Sequence, residues 1–96
     1  MVELEYIRDA VRKTAENHDL DKVTLFGSYA RGDAGASSDI DLVVEASRPL
    51  GFARGAIYRE LEAALGVPVD VIFGEKNLYP FVRDAVASEG VVLYEA

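Results

Sequence analysis

Asp39 and Asp41 flank a single isoleucine in the segment Ser38-Asp39-Ile40-Asp41-Leu42, and no other feature constrains the chain as tightly. Residues two apart on a strand project to the same face. A strand over Asp39 to Glu45 therefore sets two carboxylates side by side and turns Ile40 and Leu42 into a core. Such a pair of hard oxygen donors invites a divalent metal. Ten residues separate Asp39 from the dipeptide Gly27-Ser28, which follows the apolar run Lys22 to Phe26 and precedes Tyr29-Ala30-Arg31. A glycine-serine turn that opens a helix is a place for a phosphate.

Around these two segments the chain alternates helical and extended patterns. Leu4, Ile7, Val11 and Ala15 recur at helical spacing through Glu3 to Asn17, which predicts an amphipathic first helix ending at His18 and Asp19. A first strand runs from Lys22 to Phe26, and Gly32 to Ser38 is rich enough in small residues to be a loop. Ala53, Ile57, Leu61 and Leu65 mark a second amphipathic helix, closed by Gly66 with Pro68 soon after. Val67 to Phe73 reads as a third strand, with Val69, Val71 and Phe73 facing one way and Asp70 and Ile72 the other. Asn77 is positioned to cap a third helix with Pro80 in its first turn and Phe81, Val82, Ala85 and Val86 on its buried side. Val91 to Tyr94 makes a last short strand. The result is an α+β fold, a small mixed β-sheet packed with helices, as one domain over residues 1–96.

Composition narrows the chemistry. A net charge of -7 opposes stable binding of nucleic acid, which needs clustered Lys and Arg on its phosphates. The absence of cysteine removes disulfides and thiolate metal sites. The amino terminus is acidic where a secretion signal is basic, and no apolar run nears the ~20 residues of a membrane span. These features predict a soluble, cytoplasmic protein with no membrane partner.

Asp70 interrupts the apolar run Val67 to Phe73. An uncompensated carboxylate there is costly, so Asp70 lies at an edge, pairs with a cation, or joins a charged site. Three carboxylates drawn together repel and raise one another's pKa unless a cation compensates.

Taken together, Gly27-Ser28-Tyr29-Ala30-Arg31-Gly32, the ten intervening residues and Ser38-Asp39-Ile40-Asp41-Leu42 resemble the signature of the minimal nucleotidyltransferases, small members of the DNA polymerase β-like superfamily. Asp70 falls on the strand where that family carries its third acidic residue. The resemblance implies Mg²⁺ held by Asp39, Asp41 and Asp70, which are also its catalytic set, and ATP bound through Gly27 and Ser28. Arg31 can reach phosphate oxygens or stand as a solvated surface charge. It further implies transfer of AMP to a hydroxyl of a partner protein, a tyrosine of a HEPN-domain ribonuclease toxin, with this chain as the antitoxin. Two readings of other classes remain open on sequence alone: a protein that neutralises its partner by contact, and a transferase for a free small molecule. His18 at a helix end carries no chemistry in this reading. Tyr79, Phe81 and Tyr94 are assigned to core or interface, and Arg54 and Arg59 to a helix face.

Overall fold

Ile7, Ala10, Val11, Thr14 and Ala15 recur at steps of three and four residues and form the buried stripe of helix α1 (Leu4–Asn17). The computed structural model describes residues 2–96, the side chain of Glu75 excepted. Leu4 does not join the stripe as its spacing suggests. It is 41% exposed and borders a small open cavity beside Tyr29 and Gly32. The helix closes where the His18 N–H donates to Thr14 O at 3.1 Å, and Asp19 turns the chain with φ 53°.

Four strands follow, β1 (Lys22–Phe26), β2 (Ile40–Glu45), β3 (Val69–Phe73) and β4 (Val91–Glu95). They form one sheet in the order β3-β2-β1-β4. β1 runs antiparallel to both β2 and β4, while β2 and β3 are parallel. A parallel neighbour requires a crossover, and helix α3 (Ala53–Leu65) supplies it. That helix ends at Gly66, whose N–H donates to Glu62 O at 2.9 Å. A single-turn helix, α2 (Ser28–Arg31), follows β1, and a 3-10 turn (Glu75–Asn77) and helix α4 (Pro80–Glu89) follow β3.

Strand alternation sorts the side chains onto two faces. On one, Val23, Leu25, Ile40, Leu42, Val44, Val69 and Leu93 meet Ile7 and Val11 of α1 and Ile57, Leu61 and Leu65 of α3. On the other, Val43 packs with Leu78 and Val86 and, partly buried, with Phe26, Ile72 and Val82. Each fully buried aliphatic side chain contributes roughly 1.5–3 kcal/mol, so the first face carries most of the stability. The second face is free to present polar groups at its margin, and Asp41, Asp70 and Thr24 lie on it.

Beyond one-residue shifts at the start of α1 and the end of β4, several boundaries differ from the sequence pattern. β2 begins at Ile40 and not Asp39, and β3 at Val69 and not Val67. Ile40 N donates to Pro68 O at 3.0 Å, and Pro68 has no N–H to return, so the ladder stops there. Asn77 does not cap α4. It sits in the 3-10 turn with its side-chain amide donating to Phe73 O, and Tyr79 takes the cap position without a side-chain bond. Phe81 is not on the buried side of α4 but 73% exposed. It lies about 100° around the helix from the inward-facing Val82, and Leu78 fills the apolar seat instead. Outside, Phe81 stacks on Tyr79 with ring centroids 6.2 Å apart.

Candidate active site

Three neighbouring strands deliver the singled-out residues to one end of the sheet. Phe26, the last residue of β1, pairs with Asp41, and Asp41 pairs with Asp70 across the parallel β2–β3 ladder. Gly27 therefore stands over Asp41 as the chain leaves β1. Its backbone, at φ 76° and ψ -155°, is open only to glycine. A Cβ there would run into Asp41 Oδ2, with Asp41 Cγ 3.2 Å away. Glycine is required twice over, for its backbone angles and for the carboxylate pressed against it.

Ser28 opens α2, and its carbonyl accepts the N–H groups of Gly32 and Asp33, each at 3.0 Å. Gly32, left-handed at φ 83°, closes that turn. Arg31 is exposed, with Nε donating to Asp33 Oδ2 at 3.2 Å and Nη1 to Glu89 Oε2 at 3.4 Å. These two hydrogen bonds, Asp33's first, hold its pKa above the ordinary arginine value.

Asp41 is the electrostatic centre of the site. It is partly buried, and its pKa is pushed up to about 6. Burial is the largest cause, followed by the charges of Asp70 and Asp39 and by a hydrogen bond with the Asp70 carboxyl; Arg31 opposes the shift. Asp39 and Asp70 are exposed. Asp41 pairs across the ladder with Asp70, and Asp39, one residue before β2, is near enough for its charge to act on Asp41 as well. Among the described residues no three acidic or imidazole groups already converge tightly enough to enclose an ion. The donor chemistry nevertheless fits a hard divalent cation: all candidate ligands are carboxylate oxygens, and a cation among them would offset the repulsion that Asp70 and Asp39 exert on Asp41.

A model of the nucleotidyltransferase domain matches residues 4–93, spanning every strand and helix that builds the site. The chain belongs to that family. This nucleotidyltransferase domain has the polymerase β-like fold. A candidate protein adenylyltransferase of Methanocaldococcus jannaschii is 35% identical over 77 residues, covering 77% of this chain and 80% of the relative. The structure of a candidate minimal nucleotidyltransferase superposes with a TM-score of 0.74 at 37% identity, covering 92% of this chain and 90% of the other. A crystal structure of a toxin–antitoxin with AMP-PNP superposes with a TM-score of 0.77 at 27% identity, covering 93% and 73%.

Two residues near the acidic corner had no sequence signal. Tyr58 on α3 lies within the field of the acids. Its pKa is raised by partial burial first, then by Glu62, Asp70 and Asp39. Glu89 reaches Arg31 from 58 residues away. Helical periodicity marks Tyr58 only as the neighbour of core residue Ile57, and nothing local marks Glu89. Arg54 lies over the Phe73 ring, 5.4 Å from its centroid. His18 pairs with Glu60 of α3 and ties two helices together.

No described helix is long and apolar enough to cross a membrane.

Proposed function

We propose that this domain transfers the AMP moiety of ATP, with Mg²⁺, to a hydroxyl of a partner protein, a tyrosine of a HEPN-domain toxin. The observation that carries the reading is the seating of Asp41 between the Gly27 backbone and Asp70. It brings a phosphate-binding turn into contact with a carboxylate pair, as nucleotidyl transfer requires. The relative solved as a toxin–antitoxin with AMP-PNP and the relatives named as adenylyltransferases support the donor and the type of acceptor.

Gly27 lets the triphosphate approach the main chain, and the Ser28 hydroxyl and amide bind its oxygens. Asp39, Asp41 and Asp70 would hold Mg²⁺, which supplies positive charge against the phosphates and aligns the displacement. Asp70, exposed at the strand end, accepts the proton of the attacking hydroxyl. A bond forms from that oxygen to the α-phosphorus as the bond to the bridging oxygen breaks, and pyrophosphate leaves. Arg31 takes up phosphate charge from the flank.

A second reading, neutralisation by contact, is favoured by the stacked Tyr79–Phe81 pair, both residues over 70% exposed. Such a surface suits protein contact. The test is incubation with the HEPN partner, labelled ATP and Mg²⁺, followed by intact mass measurement. One or more added AMP masses on the partner are expected. An unchanged partner mass, alongside a tight complex that inhibits the partner without nucleotide, would replace the enzymatic reading with the contact one.

A further inference from the structure

Arg31 is the cation whose charge reaches Asp41, yet its guanidinium is already engaged on two sides by carboxylates that lie outside the catalytic set. Local geometry explains Asp33. The left-handed Gly32 and the bond from Asp33 N to Ser28 O turn the chain back beside Arg31. Long-range packing explains Glu89. It is the last residue of α4, and the next residue, Gly90, donates its N–H to Val86 O at 2.9 Å. A methyl group on Gly90 would stand 2.9 Å from Thr24 Cγ2, so the end of α4 is pressed onto β1 and the position of Glu89 is held.

We infer that Glu89 is a positioning residue that sets nucleotide affinity by competing with phosphate oxygens for Arg31. The inference rests on the nucleotide reading of the Gly27-Ser28 site. The five N–H donors of a guanidinium cannot give their full fork to a carboxylate and to a phosphate at once. Binding of a triphosphate therefore draws Arg31 from Glu89, and the strength of the Arg31–Glu89 pair is subtracted from the affinity. It also couples the phosphate turn to the far helix, because α4 is held to α2 through this contact only while Arg31 faces Glu89.

The test is a double-mutant cycle on AMP-PNP binding by calorimetry with Mg²⁺ present: wild type, Glu89→Gln, Arg31→Ala and the double variant. Glu89→Gln is expected to bind AMP-PNP about two- to fivefold more tightly at low salt, the scale of an exposed ion pair. The difference should shrink as salt screens the pair. In the Arg31→Ala background the same substitution should change nothing. Unchanged or weaker binding by Glu89→Gln would overturn the inference. So would an equal gain in the Arg31→Ala background, which would make Glu89 a diffuse source of negative charge. Failure of the wild type to bind AMP-PNP would instead overturn the nucleotide reading itself, before any substitution is compared.

Discussion

Replacing Asp41 by asparagine should stabilise the metal-free protein while abolishing transfer. The carboxyl's pKa is pushed up to about 6 in the fold from the ordinary aspartate value of 3.8. Between those values the folded state holds a proton that the unfolded chain has released, so stability falls as pH rises through this window and stays low above it. A shift of about two units corresponds to roughly 3 kcal/mol at most. Asp41 is only partly buried, and solvent screening reduces this to about 1–2 kcal/mol. Asparagine keeps the shape, removes the charge, and its amide can donate to Asp70 in place of the lost proton. Thermal unfolding in a chelator should show Asp41→Asn melting on the order of 5–10 °C above wild type near pH 7.5. The gap should close as pH falls below 3.8, where wild-type Asp41 is protonated in both states. A variant less stable than wild type at neutral pH, or a gap of constant size at every pH, would show that charge crowding at Asp41 is not a burden on the fold.

Three further outcomes follow from the same geometry. Gly27→Ala should cost roughly 1–3 kcal/mol in urea unfolding, through its positive φ and the collision with Asp41, and should leave no transferase activity. Mg²⁺ with ATP should raise the wild-type melting temperature by preferential binding to the native state, and Asp41→Asn should blunt that rise in the same fluorimetric assay. Asp70→Asn should keep AMP-PNP affinity near wild type while lowering kcat for partner modification, and equal loss of affinity in Asp39→Asn, Asp41→Asn and Asp70→Asn would make Asp70 a metal ligand first.

The sequence and the structure agree where a local rule sets the outcome. β1 over Lys22–Phe26 and the end of α3 at Gly66 follow from apolar periodicity and a glycine stop. The glycine-serine turn and the acids come together because strand pairing carries a ten-residue spacing into one corner. Disagreement arises where a distant contact decides. Asp39 falls outside β2 because its neighbour across the ladder is Pro68, a residue of another strand's approach. Phe81 faces outward because Leu78 takes its seat, and the periodicity of a ten-residue helix accommodates either choice. The Asp41–Asp70 pairing and the Glu89 contact join residues 29 and 58 positions apart, a separation that no motif spans.

Gly27 directly follows β1, and Asp41 and Asp70 stand on the next two strands of the sheet, so the distances between them are set by the main chain, at the ~4.8 Å pitch of a β-sheet. The sheet acts as a ruler. Repacking the core around it alters how firmly the marks are held but not their interval. An insertion or deletion within Ile40–Glu45 moves the marks themselves, since a slip of one residue exchanges the two faces and puts Asp41 where Ile40 or Leu42 now lies. The loop of residues 32–38, exposed along most of its length, bears on none of these intervals and can change length without respacing the site.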